Sequence, residues 1–354
     1  MNNTSTLVLP AGTAGHYRAL VRRRQAVLGG LALLLLASVA LDLTLGPTRH
    51  ALADVLQALL QPQAVPLPLR VVVWEIRLPV ALMAVVVGAA LSVAGMQMQT
   101  VLNNPLASPF TLGISAAAGF GAALGLAFGV RLLPVAADLI VPLNAFLMAL
   151  LCSALIHALS LRRGVGVETI VLLGIALVFG FNALLALVQY LASEQAVAAV
   201  VFWTLGSLTK ATWPKLAAVT LALALCLPVF ARRAWALTAL RLGDDKAASF
   251  GIDVRGLRLQ TMLLVSLLAA LPVAFVGTIG FVGLVGPHVA RLLIGEDQRF
   301  LLPASALAGA LLLSLGSLIG KLVVPGAIVP IGVVTSLIGL PFFVWLVLRR
   351  NRAW

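Results

Sequence analysis

Runs of about 20 apolar residues recur along the whole chain, and this repetition narrows the possible folds more than any other feature. "AVLGGLALLLLASVALDLTL" (26–45) and "TMLLVSLLAALPVAFVGTIG" (261–280) are two of them. Wound as helix, such a run rises roughly 30 Å, the thickness of a bilayer's hydrocarbon. The alternation of a lipid-facing barrel strand is absent. With 62% of its 354 residues hydrophobic and 10% charged, the chain has more apolar side chain than one water-soluble core could enclose. The expected fold is an all-α polytopic membrane protein of about ten transmembrane helices, with no separate soluble domain.

The spans are read at about 26–45, 78–101, 111–130, 135–160, 169–191, 212–231, 258–279, 281–294, 301–323 and 330–348. Between the first two, "GPTRHALADVLQALLQPQAVPLPLRVVVWEIRLP" suits an interfacial helix and a loop. Arg22, Arg23 and Arg24 precede the first run as they would a signal peptide, but the run continues to Leu45 and reads as a retained helix. Residues 1–25 are then an N-terminal segment and 26–350 a single transmembrane domain.

Ten spans put both termini on one side. With that side cytoplasmic, 17 of the 24 Lys and Arg fall inside, which is the positive-inside bias. The outer seven include Arg77, Lys210 and Lys321. The net charge of +13 therefore needs no nucleic acid; lipid headgroups and protein partners suffice.

None of the eleven acids sits in the middle of a span. A proton- or sodium-coupled carrier usually holds its ion on such a residue, so an ion-coupled secondary transporter is the weaker alternative. "GSLIGKL" (316–322) imitates a phosphate loop, but it is one residue too short between its glycines, and Leu322 stands where magnesium needs a hydroxyl. It reads as a packing face built on Gly316 and Gly320. Four scattered histidines and two cysteines in apolar stretches, Cys152 and Cys226, suggest neither metal site nor enzyme. No catalytic residue, metal or bound cofactor is expected.

Small residues repeat at four in Ala84, Gly88 and Ser92 and in Gly121, Gly125 and Gly129, as they do where membrane helices touch. "GTIGFVGLVGPH" places Gly277, Gly280, Gly283 and Gly286 every third residue before Pro287, which suits a buried break between two spans or tight packing alone.

Several of these stretches resemble one family. "RLPVALMAVVVGAALSVAGMQMQTVLNNPLASPFTLGISAAAGFGAALG" (77–125), "WTLGSL" (203–208), "GTIGFVGLVGPHVARLLIGEDQRFLLPASALAGALLL" (277–313) and "VPIGVVTSLIGLPFFVWLVLRR" (329–350) are similar, in order, to the FecCD-type permeases of iron-siderophore, haem and cobalamin ABC importers. The resemblance implies the vitamin B12 permease fold of ten helices and pairing with a second permease subunit, as homodimer or heterodimer. It also implies two cytoplasmic ATPase subunits that carry ATP and magnesium, and a periplasmic substrate-binding protein. The membrane implied is the bacterial inner membrane.

The resemblance gives a role to an unusually charged island, "LRLGDDKAASFGIDVRGLRLQ" (240–260), within the inner loop of about 232–258. In the family this loop carries short helices that dock on the ATPase. The residues implied here are Leu242, Gly243, Asp244, Asp245, Lys246, Ala247, Ala248 and Gly251. Asp244 and Asp245 favour a helix start, Ala247 and Ala248 leave a small surface, and Gly251 suits a left-handed end. Arg77 and Lys321 match outer positions that meet the binding protein. Val167 and Glu168 match the cytoplasmic gate. Phe179, Asn182, Gln189 and Tyr190 are candidates for the pathway wall. The chain departs from the pattern at Val80, at Ser317 where the ninth span usually has an acid, at Lys321 in place of Arg, and at Ile328.

Overall fold

The computed structural model describes residues 13–46, 48–160, 166–324 and 326–350. Among them there are helices and no strand. In chain order these are α1 (Thr13–Thr44), α2 (Leu52–Leu60), α3 (Leu67–Val71), α4 (Leu78–Val101), α5 (Ile114–Phe128), α6 (Ile140–Ser160), α7 (Val167–Leu191) and α8 (Glu194–Thr204). Then follow α9 (Trp213–Arg232), α10 (Ala234–Leu240), α11 (Asp244–Ser249), α12 (Val254–Val276), α13 (Val282–Ile294), α14 (Gln298–Leu322) and α15 (Ile331–Arg350).

Each of the ten spans read from the sequence meets one of these helices. Seven are long and apolar enough to cross a membrane, and α5, α13 and the apolar part of α15 are shorter. Two begin well before the sequence suggests. The helix of α1 already covers Arg22–Arg24. The second span is helical from Leu67, because α3 continues into α4 through a π-helical turn, Val72–Arg77. That wider turn precedes Pro79, whose ring would otherwise press on the carbonyl one turn back, so the helix passes the proline instead of ending at it.

Helix α4 is the centre. It touches α9, α12, α13 and α14, and α1 packs on α14. A second group forms around α5, which holds α6, α7 and α8; α12 touches α4, α5 and α6 and joins the two groups. The glycine stripes explain the close approaches. A Cβ on Gly88 would strike the Gly309 carbonyl, and one on Gly95 the Gly283 carbonyl. Between them Ser92 Oγ donates to the Ser305 carbonyl at 2.6 Å. Gly121 meets the Asn144 carbonyl of α6 in the same manner and Gly125 faces the Asn144 side chain, whereas Gly129 has a different task and ends α5 with φ 63°.

Overlap at Gly95 is with backbone, which cannot rotate away. Gly95→Val is therefore expected to cost at least the roughly 1–3 kcal/mol of ordinary overpacking and to cut the folded protein recovered from membranes. Gly30→Ala, at a site with nothing within 4 Å, should leave recovery unchanged. Fluorescence-detected size exclusion in detergent checks both.

Candidate functional site

The strongly basic end of the bundle carries the loop between α9 and α12, and it folds into the two short helices α10 and α11. Asp244 and Asp245 open α11, and Gly251, at φ 77°, donates its N–H to the Ala248 carbonyl at 2.9 Å beyond the helix end. Leu237, Leu240 and Ala247 enter the main core beside Val101, Ile294 and Leu301. The loop is thus anchored, not a solvated tether. The two alanines part company: Ala247 is fully buried and supports the helix from below, while Ala248 faces out with Gly251, Leu242 and the acids. Trp235 and Phe250 are exposed too, with ring centroids 6.3 Å apart. No pattern in the sequence distinguished these two aromatics from lipid-facing ones.

Polar ties hold the loop as well. Arg258 Nη2 donates to both carboxylate oxygens of Asp244, at 3.0 and 3.1 Å, and its Nε reaches the carbonyl of Val101, at the end of α4. Asp297 accepts from Arg299 at 2.8 Å and from Arg24 at 3.1 Å. The Arg299 hydrogen bond holds the Asp297 carboxyl below its ordinary range.

Helix α7 shows a different kind of surface. Most of α4's apolar stretch, 78%, is buried, against 17% of α7's. Ile170, Gly174, Phe181 and Val188 form its packed stripe. At 100° per residue, Phe179 and Tyr190 lie on the opposite side and Asn182 on the flank, all three exposed, with half-buried Gln189 beside Asn182. Glu168 is exposed in the first turn of α7. The side chain of Val167, and the preceding residues 161–165, lie outside the described residues.

At the opposite end Arg77 and Lys321 come together with a partner that the sequence did not reveal. Lys321 Nζ donates to Asp42 Oδ2 at 2.7 Å, and Ser317 Oγ to Asp42 Oδ1 at 3.0 Å. The side chains of Lys321 and Asp42 are 6% and 1% exposed. Arg77 is buried and donates to the carbonyls of Leu43, at 2.7 Å, and Thr48. Asp42, near the end of α1, thus supplies a carboxylate where the ninth span has serine, and α1 is pinned to α14. Asp42→Ala leaves a buried ammonium unpaired, with an expected loss of about 3–5 kcal/mol. A thermal melt in detergent should show it, and Asp42→Ala with Lys321→Met should recover most of the loss.

The glycine run 277–286 combines a break with close packing. Residues 277–281 separate α12 from α13, with Gly277 at φ 78° and Phe281 at φ 65°. Ser207 N–H donates to the Val276 carbonyl at the break, at 2.7 Å, while Gly332 N–H donates to the Leu205 carbonyl at 3.0 Å and Gly332 lies close against the Thr278 carbonyl. This is how non-helical backbone survives at membrane depth. The segment "WTLGSL" and the start of α15 are therefore parts of one junction. Gly283 and Gly286 then bring α13 against α4.

A family model described as the FecCD transport family matches residues 34–349, nearly the whole described bundle. The chain belongs to this family. The hemin transport system permease protein HmuU of Yersinia pestis is 40% identical over 282 residues, 79% of this chain and 84% of that protein. The vitamin B12 import system permease protein BtuC of Vibrio cholerae is 37% identical over 284 residues, 79% and 83% of the two chains. A solved structure of an inward-facing, metal-chelate type ABC transporter superposes with a TM-score of 0.80 at 31% identity, covering 92% of this chain and 99% of the other. This FecCD protein is accordingly an all-helical, multi-pass ABC transporter permease. Among its described residues no His, Cys, Asp and Glu group could hold a metal.

Proposed function

We propose that this FecCD permease is the membrane subunit of an ATP-driven importer, carrying a bulky iron chelate from periplasm to cytoplasm across the bacterial inner membrane. A ferric siderophore is the first choice of cargo, with haem and cobalamin behind. It pairs with a second permease subunit, two ATPase subunits dock on its cytoplasmic loops, and a periplasmic binding protein delivers the cargo. The basic end, with both termini, faces the cytoplasm.

The observation that carries this reading is the loop 232–258. It is welded to the core by Leu237, Leu240 and Ala247 but turns Leu242, Ala248 and Phe250 outward, as a rigid docking element must. The open face of α7 supports a pathway along a subunit interface, with Phe179, Asn182, Gln189 and Tyr190 on its wall and Val167 and Glu168 at its inner mouth. Binding-protein contact through Arg77 and Lys321 requires an incoming carboxylate to compete with Asp42. The cargo is tested by purifying the binding protein encoded beside this permease and identifying its ligand by mass spectrometry. An amino acid or a sugar in place of a metal chelate would remove the substrate assignment.

A further inference from the structure

Residues 295–297, which turn the chain from α13 into α14, hold two carboxylates on which arginines from four elements converge. Asp297 takes Arg24 of α1 and Arg299 of α14. Glu296 takes Arg241, the residue that ends α10, and Arg291 of α13 at 3.2 Å. Arg291 then donates through Nη1 to Oε1 of Gln99 in the last turn of α4, and Gln99 is buried. One oxygen, Oε2 of Glu296, therefore stands between the docking loop and the central helix.

Glu296 is half exposed, with a side-chain exposure of 50%, and ion pairs this open contribute little to folding stability. Its effect is on position. Arg241 and Arg291 reach the same oxygen, so their guanidiniums are close to each other. With the carboxylate charge present they are bridged; without it they repel. Apolar contacts from Leu237 and Leu240 keep α10 on the core as far as its last residue, but from Arg241 to Gly243 the chain has no buried apolar side chain. The Arg258 link attaches α11 to α4 independently, through Asp244 and the Val101 carbonyl. The loop thus has two polar ties to the end of α4, and only one of them passes through α13.

We propose that Glu296 is a positioning residue that locks the end of α10 to α13 and α4, so that displacement of the loop is carried into the central helix and not absorbed within the loop. This rests on the coupling role proposed above for the loop. Without Glu296 the partner ATPase still docks and still turns over, but its stroke reaches α4 only through the apolar packing of α10 and the Arg258 link, and less of it is transmitted.

The test is Glu296→Gln, read in two ways. In purified permease, hydrogen exchange over residues 234–243 should quicken, while exchange in α4 and α14 and the melting temperature stay close to wild type. In vesicles holding the complete transporter, cargo moved per ATP hydrolysed should fall about fivefold or more, the lower end of ordinary coupling between sites. Adding Arg241→Gln removes the repelling charge and should restore part of both signals, a rescue that a merely damaged fold would not give. Unchanged exchange, or an unchanged ratio of cargo to ATP, overturns the proposal. If the wild-type complex shows no ATP-dependent uptake, the importer reading fails instead, while the exchange experiment still decides whether Glu296 ties the loop down.

Discussion

An Ala248→Arg permease is expected to reach the membrane folded, and to lose nearly all cargo uptake. Ala248 is exposed on α11 beside a cavity it shares with Asp244, Arg255 and Arg258, so a larger side chain has room within its own subunit. If α11 fits into a cleft of an ATPase, the added bulk and charge meet that cleft directly. Overpacking of a close interface costs roughly 1–3 kcal/mol, and a charge without a partner adds to it. About 3 kcal/mol corresponds to a roughly 150-fold weaker complex. The neighbouring residue is the control. Ala247 is completely buried, so Ala247→Arg should damage the fold itself and lower the yield of permease. Co-purification of the ATPase, measured for both variants against total permease, separates the two effects. Full uptake with normal ATPase recovery in Ala248→Arg would remove this loop as the docking element.

The contrast between those two alanines also shows what a sequence can disclose. Length and apolarity of the runs were enough to locate the helices of ten spans, because a bilayer asks for about 20 apolar residues of helix, although α5, α13 and the apolar part of α15 fall short of that length. For α11 the family resemblance supplied the helix and local chemistry agreed with it: two aspartates at its start and a glycine beyond its end are signals read within a few residues. The inward turn of Ala247 depends on what lies beneath the loop, and no local signal contains that. Helix α8 (Glu194–Thr204) went unseen for a related reason: at 11 residues it is too short to register as a span, and it owes its place to packing on α5.

Long-range polar contacts were the least legible. Asp42 and Lys321 are 279 positions apart, and Arg24 and Asp297 are 273. Seen alone, each is a charge near the end of a span, which the membrane interface already accounts for. Only the crossing of α1 over α14 makes the first pair a buried bridge. Likewise Glu296 is one of several inner-side acids until the fold brings Arg241 and Arg291 to the same oxygen. The glycine run 277–286 is intermediate. Its spacing signalled a special backbone, but its partners, Ser207 and Gly332, come from other parts of the chain.

The energy source gives the other large effect. The purified permease alone is expected to hydrolyse no ATP and to move no cargo, whatever ion gradient is imposed. A phosphate loop needs a glycine-rich turn of fixed length, a lysine and a magnesium-binding hydroxyl. The nearest imitation, 316–322, lies at the end of α14, where Gly320 packs against the Val329 carbonyl and Lys321 is committed to Asp42. Nor is Asp42 free to serve as an ion relay, because Lys321 and Ser317 hold both its oxygens. A carrier that works by proton exchange needs a carboxylate that can change its charge cheaply in mid-cycle, and neutralising Asp42 would strand a buried cation. On the importer reading, work comes from outside the chain, through the loop, as a bias between inward-open and outward-open arrangements of the pathway helices. Vesicles containing permease and its ATPase, loaded binding protein, ATP and magnesium should accumulate cargo. Vesicles without the ATPase should not, under either a sodium or a proton gradient. Cargo accumulation by the permease alone under such a gradient would place this chain among ion-coupled carriers and overturn the importer reading.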